Sequence, residues 1–234
     1  MPAPISPPTP SPISITNPPI DVSPGEQETG ETCSADAHCA RGVCKSGLCF
    51  ASASCNVVRH DGQPFNENKV NIVFVGSGFK NKAAWREQVP ITYSTFEEYE
   101  PFAIDNDRFN VFYVDELADS FCHYFCNDIE RLLCCKQNKA RELSTKCFPA
   151  GAALQTIVIH NDEKYGGAGY IKHNIGTTSI HERGPLVAVH ELGHSLFELL
   201  DEYSYGWGTD KGVRIMRHYV VFLVRMIYPS HLIF

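Results

Sequence analysis

The sequence predicts an α/β domain preceded by a small cysteine-rich unit, and three observations support this prediction. Runs of β-branched and aromatic residues at 69–76, 108–115 and 154–160 are typical of buried strands. An apolar segment that starts at Pro185 has the length and spacing of a helix. Five cysteines crowd into residues 33–55, where few large apolar residues could build a core.

The overall composition is that of an ordinary globular chain. Of 234 residues, 43% are hydrophobic and 20% are charged. The net charge is −7 and the pI is near 5.8, so the chain lacks the basic surface that attracts nucleic acids or anionic membranes. We therefore expect no nucleic-acid partner. Because no apolar stretch is long enough to cross a bilayer, we also predict no transmembrane segment.

Changes in composition divide the chain into four predicted segments. Residues 1–31 are rich in proline and are predicted to be disordered. Residues 32–62 form a cysteine-rich module, residues 66–206 form the main α/β domain, and residues 207–234 form an atypical tail.

Several local patterns predict further elements of the main domain. Two helical pieces, 81–89 and 94–102, are expected on either side of Pro90, because proline interrupts helices. The sequence "YGGAGY" at 165–170 predicts a glycine-rich turn. Residues 177–182 predict a short edge strand.

The ten cysteines favour disulfide bonds over a structural metal. They fall into two groups of five, which are Cys33, Cys39, Cys44, Cys49, Cys55 and Cys122, Cys126, Cys134, Cys135, Cys147. The first group lacks the Cys-x-x-Cys pairs that structural zinc prefers. Because each group has an odd number, either one disulfide joins the groups or two thiols stay free. The second group is expected to pin a helix-containing insertion.

Disulfides imply an oxidising compartment, so we predict a secreted or extracellular protein. No signal peptide is visible in the sequence, because the N-terminus lacks a charged start and an apolar core. The expected explanation is that the sequence is a fragment or lacks a start exon.

The sequence "HELGH" at 190–194 indicates metal chemistry. His190 and His194 are four residues apart and share one face of a helix, so both imidazoles can reach one Zn²⁺ ion at roughly 2.0–2.1 Å. Glu191 is turned by about 100° from His190 and can act as a general base. The alternative is a buried helix with two satisfied histidines. The apolar run around the motif and the acidic residues beyond it favour the metal site.

A hydrolytic zinc site needs a third protein ligand, for which Asp201 is the preferred candidate and Glu202 the next. On a continuous helix these carboxylates would lie some 16–18 Å along the axis from His190. They can bind the same ion only when the helix ends near Leu200 and the chain turns back. The alternative is an exposed acidic helix end. Three weaker ligand candidates are Glu198, His181 and Asp210.

Four separated motifs resemble the IgA peptidase family of zinc metallo-endopeptidases. They are "VNIVFVGSGF" (70–79), "RFNVFYV" (108–114), "LQTIVIHNDEKYGGAG" (154–169) and "HELGHSLFELLDEY" (190–203). The resemblance implies a metzincin-like zincin domain, with a twisted mixed sheet, an active-site helix behind it and a cleft along the sheet edge. It also implies Zn²⁺-dependent hydrolysis of a polypeptide substrate, with Glu191 as base and then as proton donor to the leaving amine.

The resemblance places the Tyr-Gly-Gly segment near this cleft. The backbone of Gly166 and Gly167 could then pair with an extended substrate, and a tight turn is the alternative. The family's catalytic domain continues well beyond the Asp-Glu-Tyr motif, whereas residues 207–234 match nothing expected there. The alternative function is therefore a catalytically inactive, truncated metallopeptidase-like protein, or an extracellular binding protein that acts through its cysteine-rich module.

Overall fold

The computed structural model describes residues 31–40, 42–45, 47–59, 69–148 and 154–199. These residues form a mixed α/β structure with a disulfide-rich N-terminal region, as the sequence predicts. Nearly all of the proline-rich segment and the whole of the tail at 207–234 lie outside the described residues. Within the described ranges, no helix is long and apolar enough to cross a membrane.

Ten strands and three α-helices are found in the described part of the chain. The strands are β1 (Val43–Lys45), β2 (Leu48–Phe50), β3 (Cys55–Arg59), β4 (Val70–Ser77), β5 (Phe109–Val114), β6 (Cys122–His123), β7 (Cys134–Cys135), β8 (Leu154–His160), β9 (Gly167–Tyr170) and β10 (Ile175–Ser179). The helices are α1 (Lys82–Phe96), α2 (Gln137–Ser144) and α3 (Gly184–Phe197).

Six strands form the main sheet, in the order β3-β5-β4-β8-β10-β9. The four inner strands are parallel to one another, and β3 and β9 run antiparallel at the two edges. The three predicted strands are confirmed as β4, β5 and β8. They are adjacent and nearly fully buried, which explains why their sequences are continuous apolar runs rather than alternating ones.

The structure corrects two predictions about the opposite end of this sheet. The expected edge strand at 177–182 is instead β10, which has a neighbour on both sides. The actual edge strand is β9, within the segment predicted to be a turn. Glycine favours turns locally, but here its missing side chain lets a helix lie directly on the strand.

The predicted break at Pro90 is also wrong, because α1 continues through this residue to Phe96. The side chain of Asn81 accepts a hydrogen bond from the Ala84 amide and caps the helix. Pro90 is exposed, while four residues of α1 are buried: Trp85, Val89, Thr92 and Phe96. Tertiary packing of this face outweighs the backbone hydrogen bond that proline removes.

The two faces of the sheet are covered by different elements. Helices α1 and α3 pack on the face that includes Ile72 and Phe74, and α2 with its flanking segments covers the face that includes Val73 and Val75. Successive residues of β4 thus point into separate cores, as the period of a strand requires.

All ten cysteines form disulfides, which confirms that prediction. The pairs are Cys33–Cys44, Cys39–Cys49, Cys122–Cys135, Cys126–Cys134 and Cys55–Cys147. The last pair joins the two groups, so no thiol is left over. Helix α2 lies between Cys135 and Cys147, and the expected helix-containing insertion is therefore present.

Candidate metal centre

Helix α3 carries the residues of the candidate site. It begins at Gly184, and Pro185 occupies the first turn, as predicted. The hydroxyl of Thr178 donates a hydrogen bond of 2.6 Å to the carbonyl oxygen of Gly184 and fixes this end of the helix to β10. Its buried residues beyond the first turn are Val187, Ala188, Leu192 and Ser195.

A buried polar contact holds the other half of α3 against the sheet. The amide Nε2 of Gln155, in β8, donates to the hydroxyl of Ser195 over 2.6 Å. Both residues are buried, and a hydrogen bond in such surroundings has a strong directional preference. Because Ser195 follows His194 directly, the contact helps to set which way the histidines project. Sequence reasoning missed this pair.

The imidazoles of His190 and His194 converge on one point. Their Nε2 atoms are 3.1 Å apart and their ring centroids are 4.6 Å apart. Two nitrogen ligands of a tetrahedral zinc ion, each at roughly 2.0–2.1 Å from the metal, lie about 3.3 Å from each other. Both side chains are half-buried. The pair therefore fits the spacing that one zinc ion requires.

A main-chain carbonyl orients His194. The Nδ1 atom of its ring lies 2.5 Å from the carbonyl oxygen of Leu199, so the Nδ1–H donates to it. A histidine held in this way keeps the lone pair of its Nε2 for a metal ion. Sequence reasoning missed Leu199, because any residue type can supply a carbonyl oxygen.

Glu191 belongs to the same cluster. Its carboxylate and the ligand atoms of His190 and His194 all lie within 4.8 Å of one another. The carboxylate rests on β9, where its oxygens would be 3.0 and 3.1 Å from side chains added at Gly167 and Gly169. Burial raises the pKa of the Tyr170 phenol at the end of this strand, and the charge of Glu191 adds to the shift.

Glycines allow this close contact between α3 and the edge strand. A Cβ atom on Gly169 would lie 2.5 Å from Cβ of His194 and 2.8 Å from the carbonyl oxygen of Glu191, and one on Gly167 would lie 2.4 Å from Val187. Any larger residue would push the helix away. The sequence analysis missed Gly169, although glycines at alternate positions are a sign of a strand under a close neighbour.

Asp201 can bind the same ion only when α3 ends near Leu200 and the chain turns back. The helix stops at Phe197, and Glu198 adopts the left-handed conformation with φ of 54°. The amides of Glu198 and Leu199 both donate to the carbonyl oxygen of Gly193, an arrangement that ends a helix and reverses the chain. Asp201 itself lies outside the described residues.

The other ligand candidates do not join the cluster within the described part. His181 packs against Tyr165, and its Nδ1 accepts a hydrogen bond from the Arg183 amide. The side chain of Glu198 is exposed. Glu202 and Asp210 lie outside the described residues.

The two glycines predicted to bind substrate lie at the start of β9. The Gly167 amide donates to the carbonyl oxygen of Arg131 over 3.3 Å, and its own carbonyl accepts from the Leu133 amide over 3.2 Å. A Cβ atom on Gly166 would lie 2.3 Å from the carbonyl oxygen of Arg131. Substrate contact at Gly166 and Gly167 stays a prediction.

Paired imidazoles with an adjacent carboxylate are a donor set suited to zinc or a similar divalent cation. In the described ranges one other group of ligand-type side chains is as compact, Cys33 with Cys39 and Cys49. Those cysteines are held in disulfides and offer no thiolate. The α3 cluster is therefore the candidate metal centre.

The fold and this centre define a candidate metal-dependent hydrolase. The family model described as IgA Peptidase M64 matches residues 122–216, a stretch that contains β8, β9, β10 and α3. This match confirms the resemblance seen in the sequence and indicates a peptidase with a polypeptide substrate. No curated protein matches the chain.

Proposed function

We propose that the chain is a secreted zinc-dependent endopeptidase with a metzincin-like zincin fold. One observation carries the proposal: the Nε2 atoms of His190 and His194 face each other at 3.1 Å, with the Glu191 carboxylate in the same cluster. A structural pair of histidines on an ordinary helix has no need of an adjacent carboxylate. Five disulfides support an oxidising compartment.

The position of α3 supports a cleft along the sheet edge. The helix packs on β10 and on the antiparallel edge strand β9, and His194 lies next to Gly169. An antiparallel edge strand can accept an extended peptide as an additional strand. A peptide on that edge would pass the paired imidazoles.

Asp201 is proposed as the third ligand. The carbonyl group of Leu199 already touches the His194 ring, and Asp201 follows two residues later. Two residues span at most about 7 Å, a separation that allows the Asp201 carboxylate to reach the same ion. Glu202 is the alternative ligand.

The described residues suggest how the chemistry is divided. A bound zinc ion would supply Lewis acidity and lower the pKa of a coordinated water molecule to about 7. His190 and His194 would hold the ion through Nε2, with the Leu199 carbonyl fixing the His194 ring. The Glu191 carboxylate would accept the proton of the attacking water and pass it to the leaving amine. It can do so because it stands beside the ligand atoms.

Gly169 is the best-supported position for pairing with substrate. The backbone amide and carbonyl of Gly167 already form hydrogen bonds within the chain, whereas Gly169 is partly exposed. Gly166 and Gly167, the positions predicted from the sequence, are proposed to border the same path.

The test combines metal analysis with hydrolysis of a general protease substrate. We expect wild-type protein to bind one zinc ion and to cut oxidised insulin B chain. His194→Ala should lose the zinc, whereas His173→Ala, on an exposed loop histidine, should keep it. Glu191→Gln should keep zinc but lose at least about 100-fold in kcat/KM, which is the range for a lost general base.

Glu182→Gln is the matched control, because Glu182 is an exposed carboxylate just before α3. It should hydrolyse the peptide like wild type. Absence of stoichiometric zinc in the wild-type protein, or equal hydrolysis by Glu191→Gln and wild type, would reject the proposed function.

A further inference from the structure

Residues 122–135 form a compact hairpin that we name the disulfide wall. Its two strands, β6 and β7, pair through Cys122 opposite Cys135 and His123 opposite Cys134. Two disulfides, Cys122–Cys135 and Cys126–Cys134, cross-link it. The wall stands at the N-terminal end of the edge strand β9.

The wall pairs with one residue on the outer edge of β9. Leu132 forms a parallel bridge with Gly167, through the hydrogen bonds that Arg131 and Leu133 make to the Gly167 backbone. At that position the chain itself occupies the place of an added strand. The segment then leaves the edge, because Leu133 is fully buried in the core and its carbonyl oxygen accepts a hydrogen bond of 2.7 Å from Thr177.

Further contacts hold the wall in place. The hydroxyl of Tyr124 donates to the carbonyl oxygen of Lys164. The Tyr124 ring and the Arg131 carbonyl also leave no room for a side chain at Gly166. Hydrogen bonds, packing and two cross-links therefore fix the wall against the start of β9, and it presents a rigid boundary.

The free part of the edge is centred on Gly169. Backbone groups of an edge strand point outward at every second residue, so Gly169 presents its amide and carbonyl on the same side as Gly167. Gly169 is partly exposed, whereas Gly167 is buried. Two residues of strand span about 7 Å, and this is the distance from the open position to the wall.

The proposed reaction centre lies beside the same short stretch. The carboxylate of Glu191 contacts the positions of both Gly167 and Gly169, and His194 lies under Gly169. On the Gly167 side, the wall therefore stands within about two residues of the scissile bond. On the Tyr170 side, the described chain places no comparable segment on the edge.

We propose, on the basis of the peptidase function proposed above, that the disulfide wall sets substrate specificity. Antiparallel pairing is the more stable arrangement for an added strand, and it directs the residues after the scissile bond toward the wall. The substrate is a polypeptide that is extended before the scissile bond and that ends or bends away within about two residues after it. Chain ends and exposed turns satisfy this requirement, whereas long extended segments do not.

Hydrogen exchange at single amides tests the wall without hydrolysis. In free Glu191→Gln protein, the Gly167 amide should be protected and the Gly169 amide should exchange at least about tenfold faster. Adding oxidised insulin B chain should protect Gly169 and leave Gly167 unchanged. Fast exchange at Gly167 in the free protein, or protection of Gly167 gained only with peptide, would overturn the proposal.

Cleavage of peptides of graded length tests the specificity. Peptides are synthesised around the bond that is cut in insulin B chain. They share the same residues before the scissile bond and have one, two, four or eight residues after it. The wild-type kcat/KM should rise up to two residues and fall about tenfold for the longest peptides. Equal rates for two and eight residues would overturn the proposal, whereas a lack of cleavage at every length would instead reject the peptidase function.

A cross-link variant connects the specificity to the wall. Cys126→Ser/Cys134→Ser should loosen the wall and raise kcat/KM for the longest peptides about tenfold. It should have little effect on the peptide with two residues after the scissile bond. Cys33→Ser/Cys44→Ser, which removes a disulfide of the N-terminal region, should keep the wild-type length dependence. An unchanged length dependence in a folded Cys126→Ser/Cys134→Ser protein would contradict the role of the wall. The exchange experiment applies even when that variant does not fold.

Discussion

The carbonyl oxygen of Leu199 lies 2.5 Å from Nδ1 of His194, across a reversal of the chain at Glu198. The same turn thus ends helix α3 and orients one proposed metal ligand. This turn costs free energy, because Glu198 has a left-handed backbone with φ of 54°. Glycine adopts this conformation at little cost.

Replacing Glu198 by glycine should stabilise the protein. We expect Glu198→Gly to raise the free energy of unfolding by about 1 kcal/mol, because it relieves the left-handed backbone of a residue with a Cβ atom. Urea denaturation under non-reducing conditions measures this change. Glu182→Gly, at an exposed site without positive φ, should instead leave stability unchanged or lower it.

Adding one methyl group to Gly169 should damage the site. The new Cβ atom would meet Cβ of His194 and the backbone of Glu191, so Gly169→Ala should cost about 2 kcal/mol in unfolding free energy. A shift of about 1 Å in the proposed catalytic groups should lower activity on the order of 100-fold. Denaturation and peptide hydrolysis check both effects.

Gly193→Ala is the contrasting substitution in the same helix. Its Cβ atom would lie 3.6 Å from Leu199, an ordinary contact. Alanine favours the helix over glycine, so this variant should gain about 0.5–1 kcal/mol. Similar losses for both alanine variants would contradict the close packing of β9 on α3.

The stability of the fold should decrease in mild acid because of His160. Burial lowers the pKa of its imidazole, although the hydrogen bond that its Nδ1 makes to the carbonyl oxygen of Ser77 and the charge of Asp162 act in the opposite direction. Below about pH 6.5 the unfolded chain binds a proton that the folded chain does not, so the free energy of unfolding decreases as the pH is lowered. The slope for one proton is at most about 1.4 kcal/mol per pH unit.

Thermal or urea unfolding between pH 7 and pH 5 checks this prediction. His160→Asn removes the titrating group and should flatten the dependence relative to wild type. Parallel curves for the two proteins would show that His160 does not contribute.

The disulfide between Cys55 and Cys147 should matter most for stability. It joins residues 92 apart, whereas Cys33–Cys44 spans 11. In the chain-entropy account, closing the longer loop stabilises by about 2 kcal/mol more. Cys55→Ser/Cys147→Ser should therefore lose about 2 kcal/mol more than Cys33→Ser/Cys44→Ser in denaturant unfolding, and equal losses would contradict this account.

The local patterns that predicted elements correctly were three continuous apolar runs and one long helical spacing. The strands β4, β5 and β8 were predictable because buried parallel strands have continuous apolar sequences. Helix α3 was predictable from its apolar spacing and the proline at its start. Pro90 misled the prediction of α1, because a single breaker is outweighed by a buried face that only the folded sheet provides.

The sequence by itself determined which residues are candidate ligands, since the four-residue spacing of His190 and His194 places both imidazoles on a common face of any helix. It also determined that the chain must be cross-linked, but not which cysteines pair. Tertiary structure alone decided that the Gly-Gly-Ala-Gly segment is an edge strand, that Leu199 orients His194, and that Arg131 and Leu133 cover Gly167. These contacts join backbone groups far apart in the chain, and a backbone group has the same chemistry whatever the residue type.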